Sequence, residues 1–257
     1  MTWFQAILLG AIEGFTEFLP ISSTAHLTLA SRLLNISETD FLKSFIIIIQ
    51  LGAILAVVYL YRATLFRNLA INKKVLTAFL PTALIGFLLY KFIKSFLISN
   101  VSIALWVMLI GGVVLIIFEL WYKRRELDKV NSLENISYQQ SVLIGLAQAL
   151  AVIPGVSRSA ATVVAGLALG LSRQAIVEFS FLLAVPTMLA ATLYDFSKNA
   201  SAFSLEQFDL LLLGFVTAFV FALISVKFLL NYIQKNNFTA FGIYRIIVAI
   251  LFLLFLK

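Results

Sequence analysis

The run Glu13-Gly14-Phe15-Thr16-Glu17-Phe18-Leu19-Pro20-Ile21-Ser22-Ser23-Thr24-Ala25-His26 decides how this chain folds. It lies in an apolar stretch, residues 3–34, that is long enough to enter a bilayer, yet it carries two acids, a histidine and a proline. Proline removes a backbone donor and disfavours helix in the residue before it. The stretch therefore reads as two half-helices meeting at a turn near Pro20. A second apolar stretch, residues 138–170, is interrupted in the same way at Pro154-Gly155-Val156-Ser157-Arg158-Ser159. Irregular backbone at membrane depth is tolerated only inside protein or beside a watery cavity. The two breaks thus mark an interior.

Around these breaks the chain is built for lipid. Its 257 residues are 62% hydrophobic and 12% charged, against about 45–50% and about 25% in soluble domains. Too few charges remain to cover a water-soluble globule, and the apolar content excludes disorder. Six segments are long enough to span, since a spanning helix needs roughly 20 apolar residues. They are residues 45–61, 76–96, 101–122, 175–194, 207–232 and 240–257. There is no cysteine, which excludes disulfides and thiolate chemistry. His26 is the one histidine, so no multi-histidine metal site can form. The first twelve residues lack a basic segment, which argues against a cleaved signal peptide. The net charge of +7 reads as membrane topology and anionic-lipid contact, with no nucleic-acid partner.

The chain also repeats. Pro20 recurs as Pro154, Phe45 as Phe179 and Leu55-Ala56 as Leu189-Ala190, each 134 positions on. Thr82-Ala83 recurs as Thr217-Ala218, 135 positions on. A broken pair followed by three spans occurs twice. Basic residues mark the 62–74 loop (Arg62, Arg67, Lys73, Lys74), the 123–137 loop (Lys123, Arg124, Arg125, Lys129) and the turn near 233–239 (Lys227, Lys235) as cytoplasmic. The 195–206 loop, with Asp195, Lys198 and Glu206, reads as external. Three spans per repeat is an odd number, so the repeats take opposite topology. The expected fold is an all-α polytopic membrane protein, one domain over residues 1–257. Its two inverted-topology repeats, about 1–125 and 136–257, each hold a broken re-entrant helix pair plus three transmembrane helices. Such folds place their site where the breaks meet.

Ionisable residues in membrane segments are functional candidates. Glu13 and Glu17, four apart, share a helix face. Like charges there call for a cation or a shared proton. Carboxylates suit Mg²⁺ or Ca²⁺; alternatively the pair faces a wet vestibule or serves packing. Ser23 and His26 share a face if a helix restarts after Pro20, as a nucleophile and its base would. The alternative is a helix cap and a satisfied core histidine. Ser157, Arg158, Ser159 and Thr162 resemble a phosphate cradle of hydroxyls, a guanidinium fork and free helix N–H groups. Otherwise Arg158 pairs with a structural carboxylate. Arg245, in the last span, has no such context and reads as structural. Glu119 and Glu178 sit near helix ends.

These motifs, with Gln50-Leu51-Gly52-Ala53-Ile54-Leu55-Ala56-Val57 and Glu178-Phe179-Ser180-Phe181-Leu182-Leu183-Ala184-Val185-Pro186, closely resemble the bacterial undecaprenyl-diphosphate phosphatase family, also called the bacitracin-resistance protein family. The resemblance covers essentially the whole chain. Ala25 and Ala160 stand where that family commonly has glycine. The resemblance implies hydrolysis of a C55 isoprenyl diphosphate to the monophosphate and inorganic phosphate, recycling the lipid carrier of cell-wall synthesis. It implies a divalent cation, Mg²⁺ or Ca²⁺, held by Glu13 and Glu17. It implies Ser23 as nucleophile, His26 or Glu17 as base, and Arg158 with Ser157, Ser159 and Thr162 on phosphate. It also implies a bacterial cytoplasmic membrane location, a site open to the outer face, and lipid partners. A homo-oligomer is compatible with it. Inverted repeats with broken helices also suit a different class, a polyprenyl-phosphate flippase or transporter without hydrolysis.

Overall fold

The computed structural model describes residues 1–37, 39–92, 101–123, 130–199 and 207–255. Helix α1 (Trp3–Thr16) and helix α2 (Ser23–Leu33) form the first broken pair. Then come α3 (Asp40–Leu60), the short α4 (Arg62–Arg67), α5 (Leu69–Phe92) and α6 (Val101–Tyr122). The second broken pair is α7 (Tyr138–Ala149) and α8 (Arg158–Ala168), with a 3₁₀ turn (Leu150–Val152) after α7. Helices α9 (Arg173–Asn199), α10 (Phe208–Lys235) and α11 (Thr239–Phe255) complete the order. Five of these, α3, α5, α6, α9 and α10, are long and apolar enough to cross a membrane, and α11 is a shorter apolar helix. The protein is thus an all-helical, multi-pass membrane protein. Leu84, Phe87, Trp106, Ile110, Ile117 and Val216 point outward, as lipid-facing side chains do.

Five of the six expected spans fall on the long helices and the sixth, 240–257, on the shorter α11, with residues 93–96, 256 and 257 outside the described residues. Of the expected 195–206 loop, residues 195–199 continue α9 and 200–206 lie outside the described residues. Residues 62–74 were expected as a loop, but they form α4 and the first turns of α5. Asn68 makes this tight joint: its side-chain oxygen accepts from the Ile71 N–H, and its amide donates to Glu134 Oε1 at 3.0 Å. Lys74 donates to the Glu134 carbonyl. Of the other basic loop, Arg124, Arg125 and Lys129 lie outside the described residues, as does Glu206.

Local structure recurs at a spacing of 135 residues. Thr2 and Gln5 form a capping box at α1, and Ser137 and Gln140 form one at α7. The Gln5 amide then reaches the Leu34 carbonyl at 3.2 Å, and the Gln140 amide reaches the Leu169 carbonyl at 3.0 Å. Asn35 and Gly170 both take positive φ after their helices, at 50° and 86°. Ser22 and Ser157 both take positive φ just before α2 and α8, at 73° and 72°. Pro20 and Pro154 fall one position out of this register. Neighbours recur too: α1 lies on α10 as α7 lies on α5, and α3 lies on α10 as α9 lies on α5. The crossings are close. A Cβ on Gly14 would overlap the Ala218 carbonyl, and one on Gly145 the Ala78 carbonyl.

Both breaks are held by one side chain. Arg245 of α11 is fully buried. Its Nη1 donates to the carbonyls of Pro20 (3.3 Å) and Val156 (3.1 Å), and its Nη2 to Gly155 (2.7 Å). Its Nε donates to Met108 of α6 at 3.1 Å. Broken helices leave carbonyls without helical partners, and the guanidinium supplies three of them at once. The Ser159 hydroxyl adds a tie between the breaks, donating to the Phe18 carbonyl at 2.9 Å.

Arg245→Met is therefore expected to destabilise the protein strongly, by about 1–3 kcal/mol for each carbonyl left without a donor. Thermal unfolding in detergent should show it, with Arg245→Lys intermediate. Wild-type melting of Arg245→Met would contradict the clamp.

Candidate active site

The sequence places its acids and its arginine on different helix ends, and the breaks bring them together. Glu17 ends α1. Ser23 begins α2, and Arg158 begins α8. The Ser23 hydroxyl donates to Glu17 Oε2. Arg158 Nη2 lies 3.3 Å from Glu17 Oε1. The same guanidinium is aimed by Nη1, which donates to the Ser180 carbonyl at 3.0 Å, and it lies 5.8 Å from the Phe18 ring centroid. Its Nε has no hydrogen-bond partner among the described residues. Arg158 thus meets both readings of it: it pairs with a carboxylate, and it retains donor capacity beside a cavity.

That cavity, of about 160 Å³, opens between the breaks. Glu17, Ser22, Ser23, Thr24, Ser157 and Arg158 line it, with Gln50 of α3 and Thr187 of α9. Ser22 makes no side-chain cap on α2, so the first N–H groups of that helix add positive potential. A serine hydroxyl, a carboxylate and a guanidinium fork therefore share one small chamber.

Glu13 lies one turn before Glu17 and is fully buried. Neither of its carboxylate oxygens has a hydrogen-bond partner among the described residues. A carboxylate cannot stay ionised and unpartnered there at low cost. It calls for a cation or a proton, and the adjacent Glu17 strengthens that demand. Two carboxylates one turn apart are of the type that hard divalent cations favour, though Glu17 lines the cavity and Glu13 does not.

Three further expected site residues are placed away from the cavity. The hydrogen bonds of the His26 ring do not go to Ser23. Its Nδ1 lies 2.8 Å from the Ser22 carbonyl and its Nε2 lies 2.8 Å from the Tyr244 hydroxyl. The two rings stack at 5.5 Å. A carbonyl only accepts, so Nδ1 carries a proton. The imidazole reaches back one turn and faces a groove of α1, α2, α10 and α11. Ser159 and Thr162 do not line the cavity either. The Ser159 hydroxyl is used on Phe18, and Thr162 meets Ser180 at 2.7 Å and its own helix carbonyls. They fix the cradle's shape. Ser157 lines the cavity while capping α8 through the Ala160 N–H.

Sequence reasoning passed over Gln50 and Thr187 as site residues. A glutamine within an apolar span was the available signal for the first. The signal for Arg245 was its charge in the last span. Glu119 is structural: it accepts both Arg173 nitrogens (3.1 and 2.7 Å) and the Phe238 N–H at 3.0 Å.

A profile of the family described as "Bacitracin resistance protein BacA" matches residues 6–251. A protein of Wolinella succinogenes named undecaprenyl-diphosphatase is 52% identical over 257 residues, covering all of this chain and 99% of that one. Proteins of the same name from Sulfurihydrogenibium sp. and Aquifex aeolicus are 50% and 46% identical, each match covering 99% of both chains. This chain belongs to the BacA family of bacitracin resistance proteins.

Proposed function

We propose that this protein is a membrane hydrolase that cleaves undecaprenyl diphosphate to the monophosphate and inorganic phosphate. The observation that carries the reading is the Glu17–Ser23–Arg158 constellation between the two helix breaks. Full-length relatives bearing the diphosphatase name support the substrate. A flippase without hydrolysis would have no use for a serine hydroxyl held on a carboxylate.

The substrate's diphosphate enters the chamber while its tail stays in apolar surroundings. Arg158 offers a planar fork to phosphate oxygens. The Ser23 oxygen attacks the terminal phosphorus, and its proton passes to Glu17. A serine O–P bond forms as the bridging P–O bond breaks, and undecaprenyl monophosphate leaves. Water then cleaves the phosphoseryl bond and releases inorganic phosphate. Glu13 and Glu17 would hold Mg²⁺ or Ca²⁺, which when bound supplies compensation for the negative charge of the diphosphate. His26 and Tyr244 are positioning residues: through the Ser22 carbonyl they support the left-handed residue that precedes the nucleophile.

The 135-residue recurrence supports two inverted repeats with re-entrant broken pairs. The basic residues of α4 and early α5 support a cytoplasmic placement for that end, in the bacterial inner membrane, with the chamber opening to the outer face.

Ser23→Ala is expected to abolish phosphate release, and retained release would move the attack to water with Glu17 as base. Glu17→Gln should lower kcat by about 10²–10⁴-fold. Arg158→Lys keeps the charge but loses the fork, so its KM should rise. Chelator is expected to stop turnover, with Mg²⁺ or Ca²⁺ restoring it. Glu13→Gln should need more cation, and chelator-insensitive turnover would contradict the cation assignment. A thiol placed at residue 199 should be labelled from outside and one at residue 67 should not; the reverse would overturn the orientation.

A further inference from the structure

The polar chamber has an apolar neighbour. A groove of about 440 Å³ lies between α5 and α9, with Val152 of the 3₁₀ turn contributing to it. Thr187 and Ala191 line both spaces, so the groove continues from the chamber. Phe79, Ala83 and Gly86 form part of its α5 wall, and Ala190 part of its α9 wall.

Its two threonines do not make it polar. The Thr82 hydroxyl donates to the Gly145 carbonyl at 2.7 Å and accepts from the Gln148 amide at 2.9 Å. The Thr187 hydroxyl donates to the Leu183 carbonyl at 2.8 Å and accepts from the same amide at 3.1 Å. Both hydroxyls are thus engaged within the protein by Gln148 and helix carbonyls. With Tyr194 as the one other polar side chain in its lining, the groove offers a ligand mostly hydrocarbon surface.

Gly86 differs from the glycines at the helix crossings. A Cβ there would meet only the Val152 side chain, at 3.9 Å. Helix packing does not require glycine at this position. Its missing side chain leaves room in the groove.

We infer that the α5–α9 groove binds the first isoprene units of the substrate's tail while the diphosphate occupies the chamber. This rests on the diphosphatase reading above. A tail arriving from lipid gains no hydrophobic transfer by entering an apolar groove, because lipid is equally apolar. The groove contributes packing and orientation, and so directs the terminal phosphorus at Ser23. Shape then selects a methyl-branched isoprenyl chain over a straight acyl chain.

The chain's lack of cysteine permits a direct test. Gly86→Cys introduces one thiol in the groove, and Leu88→Cys introduces one at a side chain 69% exposed. A non-hydrolysable polyprenyl methylenediphosphonate is expected to slow maleimide labelling of Gly86→Cys about tenfold or more, leaving Leu88→Cys unaffected. Methylenediphosphonate alone or phosphatidylglycerol should not slow it. Absence of protection, or equal protection by the bare headgroup or the phospholipid, would overturn the inference. In the kinetic arm, Gly86→Phe should raise KM for polyprenyl diphosphate about tenfold and leave turnover of methyl diphosphate, which carries no isoprene unit, unchanged. Equal effects on both substrates, or none, would also overturn it. If the unaltered protein cleaves neither substrate, the diphosphatase reading fails, while the labelling arm still decides the groove.

Discussion

One buried guanidinium organises this protein. A charged side chain deep in a membrane protein is costly, and among the described residues no ion pair joins Arg245 to a carboxylate. It is stabilised by backbone carbonyls, and three of the four it reaches belong to the two helix breaks. The fourth, on α6, fixes its stem end. The breaks would otherwise expose unsatisfied carbonyls in an apolar surround, and the arginine would otherwise lack partners. Each removes the cost of the other. The cavity between the breaks exists because this arrangement holds both in register.

Chemistry follows from that register. Ser23 and Arg158 are the first residues of two half-helices, and each is preceded by a serine with positive φ. The left-handed residue turns the chain sharply, so the next side chain emerges into the space between the breaks. Glu17 then meets both, one oxygen for each. Neighbouring polar residues are spent on support: Ser159 ties the breaks, Thr162 and Ser180 brace the arginine's turn, and His26 with Tyr244 holds the Ser22 carbonyl. Among the described residues the Arg158 Nε and both Glu13 oxygens are left without hydrogen-bond partners, and the bare Glu13 oxygens call for a cation or a proton.

Much of this was legible in the sequence. Pro20 and Pro154 located both interruptions, because proline acts on its own backbone wherever the chain goes. The spans were legible because length and apolarity are local properties. Glu13, Glu17 and Arg158 stood out because charge is rare in lipid. What escaped was partnership. Ser23 and His26 have helical spacing for a pair, yet the imidazole reaches Tyr244, 218 residues away. Ser159 and Thr162 have the composition of a phosphate cradle, yet their hydroxyls go to carbonyls and to Ser180. The role of Arg245 was equally hidden, since carbonyls leave no trace in a sequence. The 62–74 segment was read as a loop from its charges, but cationic side chains at a membrane boundary are as compatible with helix as with coil, and Asn68 made helix of it.

In the proposed reaction Ser23, held on Glu17 and facing Arg158, takes the phosphoryl group. Rapid quenching of the enzyme with polyprenyl diphosphate labelled at its terminal phosphate, followed by peptide mapping, tests it most directly. The account requires transient label on the peptide containing Ser23, in amounts that rise and fall with turnover. Full turnover with no label on that peptide at any time point would contradict it.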